Sequence, residues 1–206
     1  MSAVEDDFNQ RSDEIELYLT HLARLEAQTS ADVALMATMK ASAMLLIYNL
    51  VESTAVNSIE SIYDHLKSER MGFIAVDDAL KVMVLKCARE CNPAALVRRM
   101  RDELLDLAVA AFKKDKVFSG NVDARAIRDM WDDYGIARTD PYAEEALLEV
   151  KRARNDLAHG AKSFSELGRS LTVGDIELKY RATKNLLLIA LKDVERHIAD
   201  RLRAAA

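Results

Sequence analysis

From Ala31 to Leu66 the chain runs without a glycine or a proline. Within that stretch Leu45, Tyr48, Val51, Ala55, Ile59 and Ile62 recur at intervals of three, four or a multiple of them, the spacing that lines up one face of an α-helix. A helix of that length is about 54 Å long. Its apolar stripe is too long for a loop or a single neighbour to cover, so other helices must be laid along it. The rest of the composition agrees. Only 6 glycines and 2 prolines occur in 206 residues, too few for the turns of a β-rich fold. The expected fold is a single all-α domain over residues 1–206, an up-and-down bundle of long helices with antiparallel neighbours. The stretch "ADVALMATMKASAMLLIYNLVESTAV" is interrupted by Asp32, Lys40, Asn49 and Glu52, and reads as a buried helix, not a membrane span. The acidic, polar start "MSAVEDDFNQ" does not read as a signal peptide. The expected location is cytoplasmic.

The remaining segments follow from local signals. A first helix is expected over Val4–Ala27, where Phe8, Ile15, Leu19, Leu22 and Leu25 fall among charges. Ser30 is a candidate N-cap for the long helix. A third helix is expected over Val76–Glu90, with Asp77 or Asp78 near its start, and a fourth over Pro93–Lys113, capped by Asn92. Asp123 caps a short helix that Gly135 ends. Asp140 and Pro141 open the next helix, which stops at Gly160. "AKSFSELGRSLTVGD" reads as a loop, and a last helix fills Asp175–Arg203.

Several functions find no support. The net charge of -5 provides no general basic footprint for nucleic acid, so any such binding needs a local patch. Candidate patches are "VRRMR" at 97–101, "FKKDK" at 112–116, and Lys151 and Arg152 beside Arg154. Cys87 and Cys91 share a helix face without a second ligand pair and read as core residues in a reducing environment, not as a zinc site. No Gly-rich phosphate loop, nucleophile elbow or HExxH motif occurs, and no metal or other cofactor is expected. His21, His65 and His197 stand alone on predicted helices. Trp131 and Tyr134 suit either the core of a short helix or stacking on a base.

The stretch "EVKRARNDLAHGAKSF" is different, because Arg152, Arg154, Asn155, Asp156 and His159 crowd into the end of one helix. At about 100° per residue, Leu147, Val150, Arg154 and Leu157 share a stripe, and Arg152, Asn155, Asp156 and His159 share the adjoining polar one. A guanidinium on an otherwise apolar stripe needs a partner. Glu52, itself a charge near a long apolar face, either supplies it across the bundle or faces solvent. A histidine moves protons near neutral pH, and an arginine holds a phosphate charge. Without paired carboxylates, that combination suits metal-free cleavage of RNA, in which the 2′-hydroxyl is the nucleophile, the histidine the general acid or base and the arginine the stabiliser of phosphate charge.

At "RNDLAHG" the chain resembles the HEPN (higher eukaryotes and prokaryotes nucleotide-binding) domains. Their motif is an arginine, four to six residues and a histidine, with asparagine commonly after the arginine. Arg154 and His159 match with Asn155 in place, and Arg152 matches with a longer spacer. "RSDEIELYLTHL", "KASAMLLIYNLVESTA", "SGNVDARAIRDMWDDYGI" and "RNDLAHGAKSFSELGRSLTVGDIE" extend the resemblance over most of the chain, toward bacterial HEPN-like nucleases associated with toxin–antitoxin and phage-defence loci. The resemblance implies a homodimeric, metal-independent endoribonuclease that leaves 2′,3′-cyclic phosphates, held in check by an antitoxin or regulatory partner. It makes Arg154 and His159 the catalytic pair and Asn155 their polar neighbour. Asp156, in the variable spacer, and Glu52, from the stripe argument, are added candidates, with Arg152 and Lys151 as RNA-binding residues. A non-catalytic HEPN binding or adaptor protein is the alternative. Five residues apart, Arg154 and His159 diverge by about 140° on one helix. Two copies across a two-fold axis relieve that divergence.

Overall fold

A computed structural model of the chain describes residues 2–69, 71, 73, 76–89, 92, 94, 121–140 and 144–205. Among the described residues there are seven helices and no strand. They are α1 (Ser2–Arg24), α2 (Ser30–Ser68), α3 (Asp78–Arg89), α4 (Ala124–Asp133), α5 (Glu144–Ala158), α6 (Phe164–Arg169) and α7 (Val173–Ala205). The expected fourth helix over 93–113, the basic clusters at 97–101 and 112–116, Cys91, the Cys87 side chain and Pro141 lie outside what is described.

The long helix organises everything else. α2 packs against α1, α5, α6 and α7, while α4 bridges α5 and α3. By length and composition alone α2 could cross a membrane. In this fold Ala41, Met44, Ile47, Tyr48, Leu50, Val51, Ala55, Ile59 and Ile62 are buried by the other helices. Each such side chain removed from water contributes about 1.5–3 kcal/mol for the larger ones. Leu45, expected on the same stripe, is only half-buried. α1 runs antiparallel to α2. Near one end Asn57 donates to Asp7 at 3.0 Å, and near the other the Tyr18 hydroxyl donates to the Met39 carbonyl at 2.9 Å. α1 also runs antiparallel to α7, since Val4 and Ile198 line one cavity while Lys184 pairs with Glu16 at 2.6 Å.

Local chemistry sets the helix ends. α2 begins one residue earlier than its expected cap allowed. Thr29 rather than Ser30 is the N-cap, because Asp32 completes the reciprocal pair, accepting from Thr29 N at 2.8 Å while Thr29 Oγ1 accepts from Asp32 N at 3.2 Å. Asp123 caps α4 as expected, taking the Ala126 amide at 2.8 Å, and Gly135 follows at φ +68°. The segment read as a loop after Gly160 contains α6, started by the same device: Ser163 and Glu166 exchange hydrogen bonds. α7 starts at Val173, ahead of the expected Asp175, because Thr172 and Asp175 do likewise.

α6 lies against α2 by backbone contact. A Cβ on Gly168 would meet the Ala37 carbonyl oxygen at 1.7 Å and its Cα at 2.8 Å. A glycine inside a helix costs about 1 kcal/mol relative to alanine, and here it permits an approach that no side chain allows. Gly168→Ala is therefore expected to push α6 off α2 and to lower the unfolding free energy by about 1–3 kcal/mol. A urea titration reads this directly, and a change below about 0.5 kcal/mol, the range of ordinary surface substitutions, would contradict the contact.

Candidate functional site at the end of α5

α5 buries Leu147, Val150 and Ala153 against the core, and its polar residues are divided among different neighbours. Lys151 pairs with Asp123 at 2.6 Å, fixing α5 to the start of α4. Glu149 pairs with Lys179 of α7 at 2.7 Å. Asp156 pairs with Lys162 at 2.7 Å, just beyond the helix end. Between Glu149 and His159 the cations without an ion pair among the described residues are Arg152, Arg154 and, when protonated, His159.

Arg154 is the residue with a built environment. Its Cζ lies 5.1 Å from the centroid of the Tyr48 ring, and its Nη1 donates to Asn155 Oδ1 at 3.1 Å. The expected bridge to Glu52 is absent: no Glu52–Arg154 ion pair forms among the described residues. Arg154 does reach α2, but the receiving group is the ring one turn before Glu52. Both charges still act on the Tyr48 hydroxyl. Burial pushes its pKa up, the Val122 amide pulls it down, Glu52 raises it and Arg154 lowers it.

Tyr48 is 1% exposed, and its hydroxyl oxygen accepts the Val122 amide at 3.0 Å. On either side of Val122 the chain is fastened to α5. Asn155 Nδ2 donates to Asn121 Oδ1 at 2.9 Å, and Asp123 holds Lys151. Residues 121–123 thus form a clasp joining α2, α4 and α5 beneath Arg154. Tyr48 and Asn121 were not among the residues singled out from sequence. Tyr48 was recognisable only as a member of an apolar stripe.

His159 follows the last helical residue. Its amide closes the final turn onto Asn155 O at 3.0 Å, and Gly160, at φ +68°, turns the chain away. The His159 side chain is exposed and has no hydrogen-bond partner among the described residues. Arg152 is also exposed. It lines, with Asp156, Lys162 and Lys179, an open cavity of about 390 Å³ between α5, α6 and the start of α7. Arg152 and Arg154 therefore face different surroundings, and Arg154 is the arginine seated beside Asn155. Lys151, expected to bind RNA, is engaged by Asp123. Trp131 and Tyr134 are 1% and 2% exposed and belong to the core, with the Tyr134 and Tyr63 hydroxyls 2.9 Å apart. No three His, Cys, Asp or Glu side chains gather as a metal site would need among the described residues.

With this geometry in place, comparison with known families identifies a matching one. A family model described as HEPN_MAE_28990-like HEPN matches residues 1–202. The chain belongs to that HEPN family. Its all-α bundle is the fold that membership implies, and the family places the protein among domains with RNA-related and nuclease roles. No curated protein and no solved structure matches the chain.

The clasp makes a pH prediction. Burial of Asp123 raises its pKa, but the Lys151 ammonium and the α4 amides outweigh it, so the carboxyl sits below its ordinary value. A depressed folded-state pKa contributes stability that is present above the unfolded value, about 3.9, and is lost as pH falls through the folded one. Asp123→Asn, which keeps a capping oxygen but no charge, is expected to lose about 0.5–1 kcal/mol at pH 7 and to flatten the loss of stability below about pH 4. Urea melts of both proteins between pH 3 and pH 7 check this.

Proposed function

We propose that the protein is a metal-independent endoribonuclease of HEPN type, with Arg154 and His159 as its catalytic pair. The observation that carries the reading is the condition of Arg154. It is a guanidinium without a carboxylate partner among the described residues, seated on the Tyr48 ring and flanked by Asn155, five residues before an exposed histidine on the same helix end.

In the proposed reaction the RNA 2′-hydroxyl attacks the adjacent phosphorus, the bond to the 5′-oxygen breaks, and the products are a 2′,3′-cyclic phosphate and a 5′-hydroxyl. His159 takes the 2′ proton or delivers one to the leaving oxygen. Arg154 stabilises the charge gathering on the phosphate oxygens. The two residues diverge on α5, with Arg154 turned onto α2 and His159 exposed beyond the helix end. Two copies of the chain, each supplying one of the pair to a shared site, satisfy the chemistry better than one. Arg152, exposed beside an open cavity, is a candidate contact for the neighbouring RNA. Asn155 acts through Arg154 and Asn121. Asp156, paired with Lys162, supports the helix end, and Glu52 acts electrostatically from α2. A toxin or defence role, under control of an antitoxin or other partner, fits such an activity in a cell.

A second reading, RNA binding without turnover, draws on His159. A general acid or base is ordinarily oriented by another group, and His159 has none among the described residues. An RNase assay in the presence of EDTA separates the readings. The wild type is expected to cleave and leave cyclic phosphate ends. His159→Ala is expected to lose about 10²–10⁴-fold in kcat, Arg154→Ala about 10²–10³-fold, and Arg152→Ala mainly to raise KM. Retained RNA binding with no cleavage by the wild type would favour the binding protein.

A further inference from the structure

A cation that must meet a phosphate has to be fixed in place without being neutralised. Three neighbouring charges on α5 illustrate the alternative. Lys151, Glu149 and Asp156 are each held by an opposite charge at 2.6–2.7 Å. An arginine gripped that way by a carboxylate commits two in-plane donors to its partner and cancels its charge. Arg154 is held differently. The guanidinium carbon lies over the Tyr48 ring, and the π face attracts the cation without cancelling its charge. Asn155 takes one of the five donors. The ring itself cannot drift, because Tyr48 is 1% exposed and its hydroxyl is fixed by the Val122 amide.

We propose that Tyr48 is the positioning residue of the site. Its ring holds Arg154 through the π face, so that the guanidinium stays charged and keeps N–H donors for a phosphodiester. This rests on the RNase reading for its consequence in catalysis, but the holding contact stands apart from any activity. The clasp at 121–123 serves the same end. Asn121 steadies the Asn155 amide, and that amide in turn holds one Arg154 donor. The Glu52 carboxylate, one turn along α2 and not paired with Arg154 among the described residues, fits the scheme, since a bond to it would take up donors and cancel the charge.

The test compares Tyr48→Phe, which keeps the ring and loses the hydroxyl, with Tyr48→Leu, which loses both. Tyr48→Phe is expected to lower kcat about two- to fivefold, the effect of one neutral hydrogen bond. Tyr48→Leu is expected to lower kcat about ten- to thirtyfold with little change in KM, since a cation–π contact is removed from a group that acts in the transition state. The second readout is the Arg154 Hε signal by ¹⁵N–¹H NMR, assigned by its loss in Arg154→Lys. It should lie upfield of the other arginines in the wild type and in Tyr48→Phe, and return to their range in Tyr48→Leu. Equal loss of kcat in both variants, or an unshifted Arg154 Hε in the wild type, overturns the proposal. If Tyr48→Leu does not fold, the wild-type and Tyr48→Phe spectra decide. If the wild type cleaves no RNA while Arg154 Hε is ring-shifted, the RNase reading fails and Tyr48 remains the holder of Arg154. Titration with a single-stranded oligodeoxynucleotide, which lacks the 2′-hydroxyl, then shows whether the guanidinium binds phosphate. An Arg154 Hε that does not respond to it removes that part of the proposal.

Discussion

A helix of 39 residues whose apolar side chains run nearly its full length can be kept from water only by other helices laid along it, and that requirement places nearly everything else in the molecule. α1, α5, α6 and α7 are each set by the part of α2 that they cover. The candidate site is a by-product of the same requirement. α5 is drawn in by Leu147, Val150 and Ala153, and its next residue, Arg154, arrives against α2 with its guanidinium over the Tyr48 ring. The position of this end of α5 is therefore decided by burial first and by polar contacts second.

Those polar contacts share an economy. The short segment Asn121–Asp123 gives one group to each of three helices: an amide to Tyr48 on α2, a side-chain carbonyl to Asn155 on α5, and a carboxylate that caps α4 while also holding Lys151. None of these bonds is individually strong, at about 1 kcal/mol net for a neutral one. Their effect is geometric. They tie three helices together at one point, and Arg154 lies over that point.

What could be read from the residues was whatever local chemistry decides. The long helix, the Asp123 cap, the Gly135 and Gly160 endings and the crowding at the end of α5 all follow from spacing or from a single residue's backbone preferences. α6 escaped because six residues carry no periodicity, although Ser163 and Glu166 already had the spacing of a capping box. The charge of Arg154 among apolar neighbours implied a partner, and Glu52 was the one candidate for it. The contact on α2 is instead the Tyr48 ring, four residues away, because periodicity reports that Tyr48 is buried and not that its ring faces α5. Asn121 could not be found at all, since its role exists only once residues 121 and 155 are brought together by the fold. The family match extends the reading from a motif to the whole bundle.

The Tyr48 contact also has a consequence in time. Ribosomes deliver the chain from its N-terminus, so the ring at 48 and the amide at 122 exist well before the guanidinium at 154 and the amide at 155 that completes its seat. The arginine therefore has no setting until about a hundred residues have been added after the ring, and α6 and α7, which also cover α2, come later still. A fragment released early carries the ring without the cation. The contact that orders this end of α5 is thus one the growing chain cannot make until its second partner has been added.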